Sequence, residues 1–173
     1  MDVAGLKSQI QSNQLDSLYI FTGEEWYLQR LYIEQIAKVR QMTYEYLDDA
    51  NMLFVRLSAK TLFKEKHVYV LRDDIEILRN PDIIEKLKRV VADNIIVLLY
   101  SSADKRTKLY KTYKDTFIEF SLLEHAVLKR HVKAQMQLSD KNIDKLIEVC
   151  EGNYGRILLE MEKIKDYEKA LCD

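Results

Sequence analysis

Residues 18–30 read LYIFTGEEWYLQR, and this stretch decides the fold class. Its first four residues, 18–21, are continuously apolar, which is typical of a strand buried on both faces of a parallel sheet. Thr22 and Gly23 follow as a turn, and apolar residues then recur at helical spacing as far as about Arg40. The stretch therefore predicts a strand, a turn and a helix in succession, which is the unit from which parallel sheets are built.

The same alternation of strands and helices continues to residue 120 and then stops. Further strands are predicted at 44–47, 67–71, 95–100 and 117–120, and further helices at 3–14, 49–66, 82–91 and 104–114. After residue 120 the pattern predicts helices only, at 123–137, 140–151 and 154–170. We therefore expect an α/β domain over 1–121, with a mostly parallel sheet flanked by helices, and a small three-helix domain over 122–173.

The composition narrows the class of protein. The chain has 173 residues with 4 Gly and 1 Pro, which excludes collagen-like and low-complexity chains and argues against an all-β fold with many tight turns. Lys and Arg total 27 against 28 Asp and Glu, so a protein that coats DNA through a general basic excess is excluded. Cys150 and Cys172 form no C-x-x-C pair, which favours reduced thiols. The polar N-terminus and the lack of long apolar runs lead us to expect a cytoplasmic protein without membrane contact.

The turn at Gly23, Glu24 and Glu25 stands where a phosphate-binding loop would stand. Such a loop needs a second glycine, a lysine and a hydroxyl, and residues 28–30 supply Leu, Gln and Arg instead. We therefore interpret Gly23 as a glycine in a strand-to-helix turn and expect no nucleotide cofactor.

No other residues form a recognisable catalytic or metal-binding pattern. Asp73 and Asp74 follow an apolar strand, as magnesium-binding acids do, but we favour solvated carboxylates at a strand end. His125 and His131 are six positions apart, which is unsuited to a ligand pair on one helix face. Cys150 lies in an apolar helical stripe and is predicted to be a core thiol. We expect no metal site and no enzyme active site.

A basic segment precedes the last predicted strand. Lys105, Arg106, Lys108, Lys111 and Lys114 occur here with interleaved tyrosines. We interpret the segment as a solvated helix face, with contact to DNA phosphate as the alternative.

Residues 61–66 read TLFKEK at the end of a predicted helix. Leu62 and Phe63, which follow Thr61, are predicted to belong to the core. If they are exposed, they form a compact apolar knob with a polar rim, which is how binding hot spots are built.

Four stretches together resemble the delta subunit of bacterial DNA polymerase III, a component of the sliding-clamp loader. They are LYIFTGEEWYLQR at 18–30, TLFKEKHVYVLRD at 61–73, IIVLLYSSADKRTKLYKTYK at 95–114 and LSDKNIDKLIEVCEGNYGRILLEMEKI at 138–164. Their order and spacing, across nearly the whole chain, carry the likeness. Asn153 and Gly155 depart from the Asp and Arg that many relatives have, and Arg156 matches the place of an AAA+ lid arginine only loosely.

The resemblance implies an AAA+-like α/β domain and a helical lid, without ATP hydrolysis by the chain's own residues. It implies that Leu62 and Phe63, with Thr61, bind the beta sliding clamp and open its ring for loading onto primed DNA. The family counts as part of the DNA-directed DNA polymerase holoenzyme, a nucleotidyltransferase. The resemblance also implies a C-terminal collar domain that joins the subunit to gamma/tau and delta-prime. We therefore expect this sequence to be a fragment that lacks the collar. Another inert loader subunit, a DNA-binding adaptor and a degenerate P-loop nucleotide-binding protein stay open as alternatives.

Overall fold

The computed structural model describes residues 1–58 and 66–170, and regular elements cover most of these ranges. The strands are β1 Leu18–Thr22, β2 Thr43–Leu47, β3 His67–Arg72, β4 Ile95–Tyr100 and β5 Phe117–Glu119. The helices are α1 Val3–Ser12, α2 Trp26–Arg40, α3 Ala50–Ser58, α4 Ile75–Arg79, α5 Asp82–Val90, α6 Lys108–Thr112, α7 His125–Gln135, α8 Asp140–Val149 and α9 Tyr154–Ala170. Within the described residues no helix is long and apolar enough to cross a membrane.

The strands form one parallel sheet in the order β2-β3-β4-β1-β5. Leu18 of β1 pairs with Ile96 of β4, and Ile20 of β1 pairs with Phe117 of β5. Every residue of β1 and β4 is buried, which explains their continuous apolar sequences. The predicted parallel sheet flanked by helices is therefore confirmed.

One face of the sheet packs against α3, α4, α5 and α6. Alternate strand residues such as Ile20, Leu71 and Leu98 point to this side, because successive side chains of a strand face opposite ways. They meet Leu53 of α3 and Ile84 of α5 in one apolar cluster. The resulting core fixes α3 and β3, the two elements between which the predicted clamp-binding segment lies.

The opposite face of the sheet is rich in aromatic rings. Phe21 of β1 lies 4.8 Å from Phe120, and Tyr32 of α2 lies 5.5 Å from the same ring, measured between centroids. The hydroxyl of Tyr19 donates a hydrogen bond to Gln9 of α1 at 2.8 Å, and burial raises the pKa of Tyr19 to about 12. These contacts hold α1 and α2 over this side of the sheet.

Two compact units account for the internal packing of the chain. The first comprises Met1–Glu24 and Gln29–Phe120, and the second comprises Glu25–Leu28 and Ser121–Asp173. The first turn of α2 thus belongs to the second unit, although the helix continues into the first. The second unit has its own apolar core, which includes Leu128, Ile147 and Ile157.

The helices of the second unit end where the sequence provides capping groups. Ser139 accepts a hydrogen bond from the Asn142 amide at 3.4 Å, which confirms it as the N-cap of α8. After α8 the chain reverses through Gly152, which has φ +69° and donates its N–H to the Ile147 carbonyl at 2.9 Å. Lys129 of α7 pairs with Asp144 of α8 at 2.8 Å, so that ion pairs accompany the apolar contact between these helices.

Two helices differ from the prediction. The predicted helix over 104–114 is shorter: Thr107 caps α6, which spans Lys108–Thr112, and the residues before it form turns. Helix α4 was not predicted, because five residues are too few to show helical periodicity.

Candidate functional site

The predicted clamp-binding residues Thr61, Leu62 and Phe63 lie outside the described residues. The elements on both sides of their segment are described, and each is held in place. On the N-terminal side, Arg56 of α3 pairs with Glu45 of β2 at 2.7 Å.

Polar contacts also fix the chain on the C-terminal side of that segment. Lys66 pairs with Asp93 at 3.1 Å, and the amide of His67 donates to the side-chain oxygen of Asn94 at 2.9 Å. The segment 59–65 therefore connects two positions that are anchored to the sheet domain.

Asp74 fixes the start of α3, the helix that leads into the segment. Its carboxylate accepts a hydrogen bond from the Ala50 amide at 2.8 Å and another from the Ile77 amide at 2.7 Å. It thus caps α3 and α4 together, while the hydroxyl of Tyr100 donates to its backbone carbonyl at 3.1 Å. Our expectation of a solvated carboxylate was wrong for Asp74, which is 6% exposed. Its two oxygens serve backbone amides, so the geometry gives it a structural part in place of magnesium binding.

Gly23 lies in the turn between β1 and α2, where a phosphate loop would begin. Its N–H donates to the carbonyl of Ser101 at 3.2 Å, and its carbonyl accepts from the side-chain amide of Gln29 at 3.0 Å. A Cβ at Gly23 would lie 2.2 Å from the carbonyl oxygen of Phe120. The glycine is therefore required by a close approach of two backbones, at a φ of +107°.

The two acids after Gly23 have different environments. Glu24 is exposed, whereas Glu25 is fully buried in the second unit. One carboxylate oxygen of Glu25 accepts from the amide of Tyr154, at the start of α9, at 3.4 Å. The other oxygen has no hydrogen-bond partner among the described residues, and burial raises the pKa of this carboxyl.

Glu25 is the residue whose role sequence reasoning missed. The contact joins residues 129 positions apart, so no local pattern predicts it. A carboxylate at a helix N-terminus takes the place that a bound anion would take, because both are attracted by the free amides and the helix dipole.

These residues do not fit the phosphates of a nucleotide, which a phosphate loop at this position would bind. A phosphate loop offers unpaired backbone N–H groups and a lysine, whereas the Gly23 N–H is already bonded to a carbonyl. Gln29 lies in the stretch 28–30, where the end of a phosphate loop would supply its lysine. The side-chain amide of Gln29 donates a hydrogen bond to the Gly23 carbonyl. We therefore assign no reaction step to bound ATP in this chain.

The basic segment is exposed, but part of its charge is neutralised. Arg106 forms an ion pair with Asp104 at 3.0 Å, and Lys108 forms one with Asp82 at 2.9 Å. Lys105 and Lys111 are exposed, and within 1–58 and 66–170 neither has an ion pair. The segment thus leaves two of its four candidate contact residues available to an anionic partner.

The remaining candidates for chemistry are structural. Cys150 is buried in the core of the second unit, as predicted, and burial raises the pKa of its thiol. Within the described part of the chain, no group of three or more His, Cys, Asp or Glu side chains is arranged to hold a metal ion.

Comparison with solved structures defines the fold family. The chain is similar to the Bacillus subtilis DNA clamp loader delta protein, with a TM-score of 0.61 and 16% identity over 95% of this chain and 57% of that one. It is also similar to a variant of Thermotoga maritima RuvB, with a TM-score of 0.59 and 10% identity over 97% of this chain and 60% of that one. No protein-family model matches the sequence, and no curated protein matches it.

The likeness shows that the chain shares its fold, a parallel sheet flanked by helices, with these clamp-loader and RuvB structures. The predicted fold class is therefore confirmed. The chain spans less than two thirds of either structure, so the activities of those whole proteins do not transfer directly.

Proposed function

We propose that this chain is a non-catalytic, delta-type subunit of a sliding-clamp loader. In this proposal Leu62 and Phe63, with Thr61 beside them, bind the beta sliding clamp. The observation that carries it is the coincidence of a Leu-Phe pair, between α3 and β3, with a fold shared with a clamp loader delta protein. The four stretches that resemble the delta family support the same assignment.

The mechanism requires only differential binding. A partner that binds the open geometry of a ring-shaped clamp better than the closed geometry favours opening. The free energy of opening changes by the difference between the two binding free energies. Two large apolar residues flanked in the sequence by Lys60, Lys64 and Lys66 have the composition of a hot spot with a polar rim. The described residues on either side of 59–65 are paired with the first unit, Arg56 with Glu45 and Lys66 with Asp93, which supports a binding element that is carried by that unit.

The proposal assigns ATP hydrolysis to other subunits. In this chain the Gly23 N–H is bonded to Ser101, and the lysine of a phosphate loop is missing. The holoenzyme's polymerase activity likewise belongs to other chains. We place gamma/tau and delta-prime as partners through a collar domain, primed DNA as an indirect partner and the cytoplasm as the location.

A clamp-binding measurement tests the proposal. Purified beta clamp is immobilised and the 173-residue chain is passed over it, with the double variant Leu62→Ala and Phe63→Ala in parallel. Hot-spot truncations cost at least about 2 kcal/mol each, so we expect roughly a thousandfold loss of affinity.

The matched control removes one leucine and one aromatic ring elsewhere. Leu159 and Tyr167 are 59% and 75% exposed on α9, and Leu159→Ala with Tyr167→Ala should leave clamp binding unchanged. If the double variant Leu62→Ala and Phe63→Ala still bound the clamp, the assignment of these two residues to clamp binding would be refuted.

A second candidate, a DNA-binding adaptor, is favoured by the exposed Lys105 and Lys111 without ion pairs in the described residues. It predicts affinity for primed DNA that falls steeply with salt and weakens when both lysines, with Arg106 and Lys108, become alanine. Salt-independent or undetectable DNA binding would remove it.

A further inference from the structure

A groove on the second unit is not used by the proposed clamp contact. It has a volume of about 370 Å³ and is open to solvent along one side. This volume is within the range of about 300–1,000 Å³ that is typical of ligand sites. Among the described residues, those that line the groove all belong to the second unit.

The floor of the groove is apolar. Leu128 of α7 and Ile147 of α8 are buried side chains that form its base, and the half-buried Leu123 forms one wall. Gly152 continues the floor without a side chain, and a Cβ there would meet only the Leu128 side chain, at 3.9 Å. An aliphatic side chain that entered the groove would therefore meet an apolar surface, to which the half-buried Leu123 contributes.

The rim of the groove is acidic. The rim includes the carboxylates of Asp144, Glu148 and Glu151. Among the described lining residues, His125 is the only one with a basic side chain. Lys129 neutralises Asp144 at 2.8 Å, and Arg156 pairs with Glu151 at 3.0 Å.

Glu148 differs from the other two acids. It is exposed, and its carboxylate has no ion pair within residues 1–58 and 66–170. The rim therefore retains a negative charge beside an apolar floor.

We propose that this groove binds a basic amphipathic segment of a protein partner. An aliphatic side chain of that segment packs on Leu128 and Ile147, while a lysine or arginine next to it pairs with Glu148. The open side favours a peptide over an enclosed small molecule, since a peptide backbone can enter and leave along the groove. The carboxylate of Glu148 favours a basic segment over an acidic one, because juxtaposed like charges oppose binding.

A pair of labelled peptides tests the proposal on the whole 173-residue chain. The first peptide has the sequence Leu-Lys-Lys-Leu-Leu-Lys, and the second replaces each lysine with glutamate. Fluorescence anisotropy should show saturable binding of the basic peptide only, with affinity that falls as salt is raised. Equal binding of both peptides, or no binding at millimolar concentration, would overturn the inference.

Variants then place the binding in the groove. Glu148→Lys should weaken binding by roughly tenfold or more, and Glu148→Gln by less. Glu162→Lys makes the same change at an exposed residue of α9 outside the groove lining and is the matched control. Leu123→Gln should also weaken binding through the apolar wall. Circular dichroism checks that each variant is folded.

The comparison of charge variants decides the outcome. Loss with Glu148→Lys and retention with Glu162→Lys supports the groove, whereas equal losses would mean that only the overall charge matters and would overturn it. The test is separate from clamp binding, so either proposal can fail while the other stands.

Discussion

Substitution of Gly23 by alanine distinguishes a glycine kept for backbone packing from one kept for phosphate binding. In the structure, a Cβ at this position would lie 2.2 Å from the carbonyl oxygen of Phe120 and 2.6 Å from its carbonyl carbon. Neither atom can move as a flexible side chain can. The Phe120 amide also donates to the Thr22 carbonyl at 2.7 Å, so displacing it disturbs the β1–β5 edge of the sheet.

The cost of Gly23→Ala has two parts. A non-glycine residue at a φ of +107° costs about 1–3 kcal/mol, and forcing an extra carbon into a packed site costs about 1–3 kcal/mol more. We therefore expect the free energy of unfolding to fall by roughly 2–6 kcal/mol. Such a loss is a large share of the roughly 5–15 kcal/mol that stabilises most domains.

Gly152→Ala provides the internal comparison. Gly152 also has a positive φ, +69°, but the nearest atom to an added Cβ is a Leu128 methyl at 3.9 Å. Only the backbone part of the cost applies, so we expect a loss of about 1–2 kcal/mol. Urea unfolding followed by circular dichroism measures both variants, each read from the transition of the unit that carries the glycine. Equal losses at Gly23 and Gly152 would refute the role given to the Phe120 contact.

Two further substitutions test the buried carboxylates. The folded pKa of Glu25 is raised by burial, so its contribution to stability is present in acid and is lost as pH rises through that pKa. The Glu25→Gln variant should therefore unfold at a higher temperature than the unsubstituted chain at pH 8, with the gap closing towards pH 4, and a gap that is constant with pH would contradict this. Asp74→Ala leaves the Ala50 and Ile77 amides without their acceptor and should cost about 2–4 kcal/mol in urea unfolding, with Asp74→Asn intermediate; a loss below about 0.5 kcal/mol would show that the double cap is unimportant.

Much of the sheet could be predicted because its signals are local. The continuous apolar sequences of β1 and β4 indicated burial on both faces, and their alternation with helices indicated parallel pairing. Ser139 was recognisable as an N-cap for the same reason, since capping depends on neighbours within one turn.

The roles of the acidic residues could not be predicted in this way. Asp74 reaches back 24 positions to the Ala50 amide, and Glu25 reaches forward 129 positions to Tyr154. Each of these residues is adjacent to a second acid in the sequence, Asp73 and Glu24 respectively. The sequence does not indicate which member of a pair is buried, because burial depends on tertiary contacts. Leu62 and Phe63 present the opposite case: their proposed role comes from a resemblance and lies outside the described residues.

The strand order has a consequence for how the chain is made. β1 is synthesised before the other four strands of the sheet, yet its partners are β4 and β5, and Leu18 pairs with Ile96. A ribosome adding about 5–20 residues per second needs roughly 4–16 s to supply the intervening residues, and during that time the apolar β1 has no neighbouring strand. A translational pause before residue 95 would lengthen the time during which β1 lacks its partner, so we expect such a pause to favour aggregation of the nascent chain.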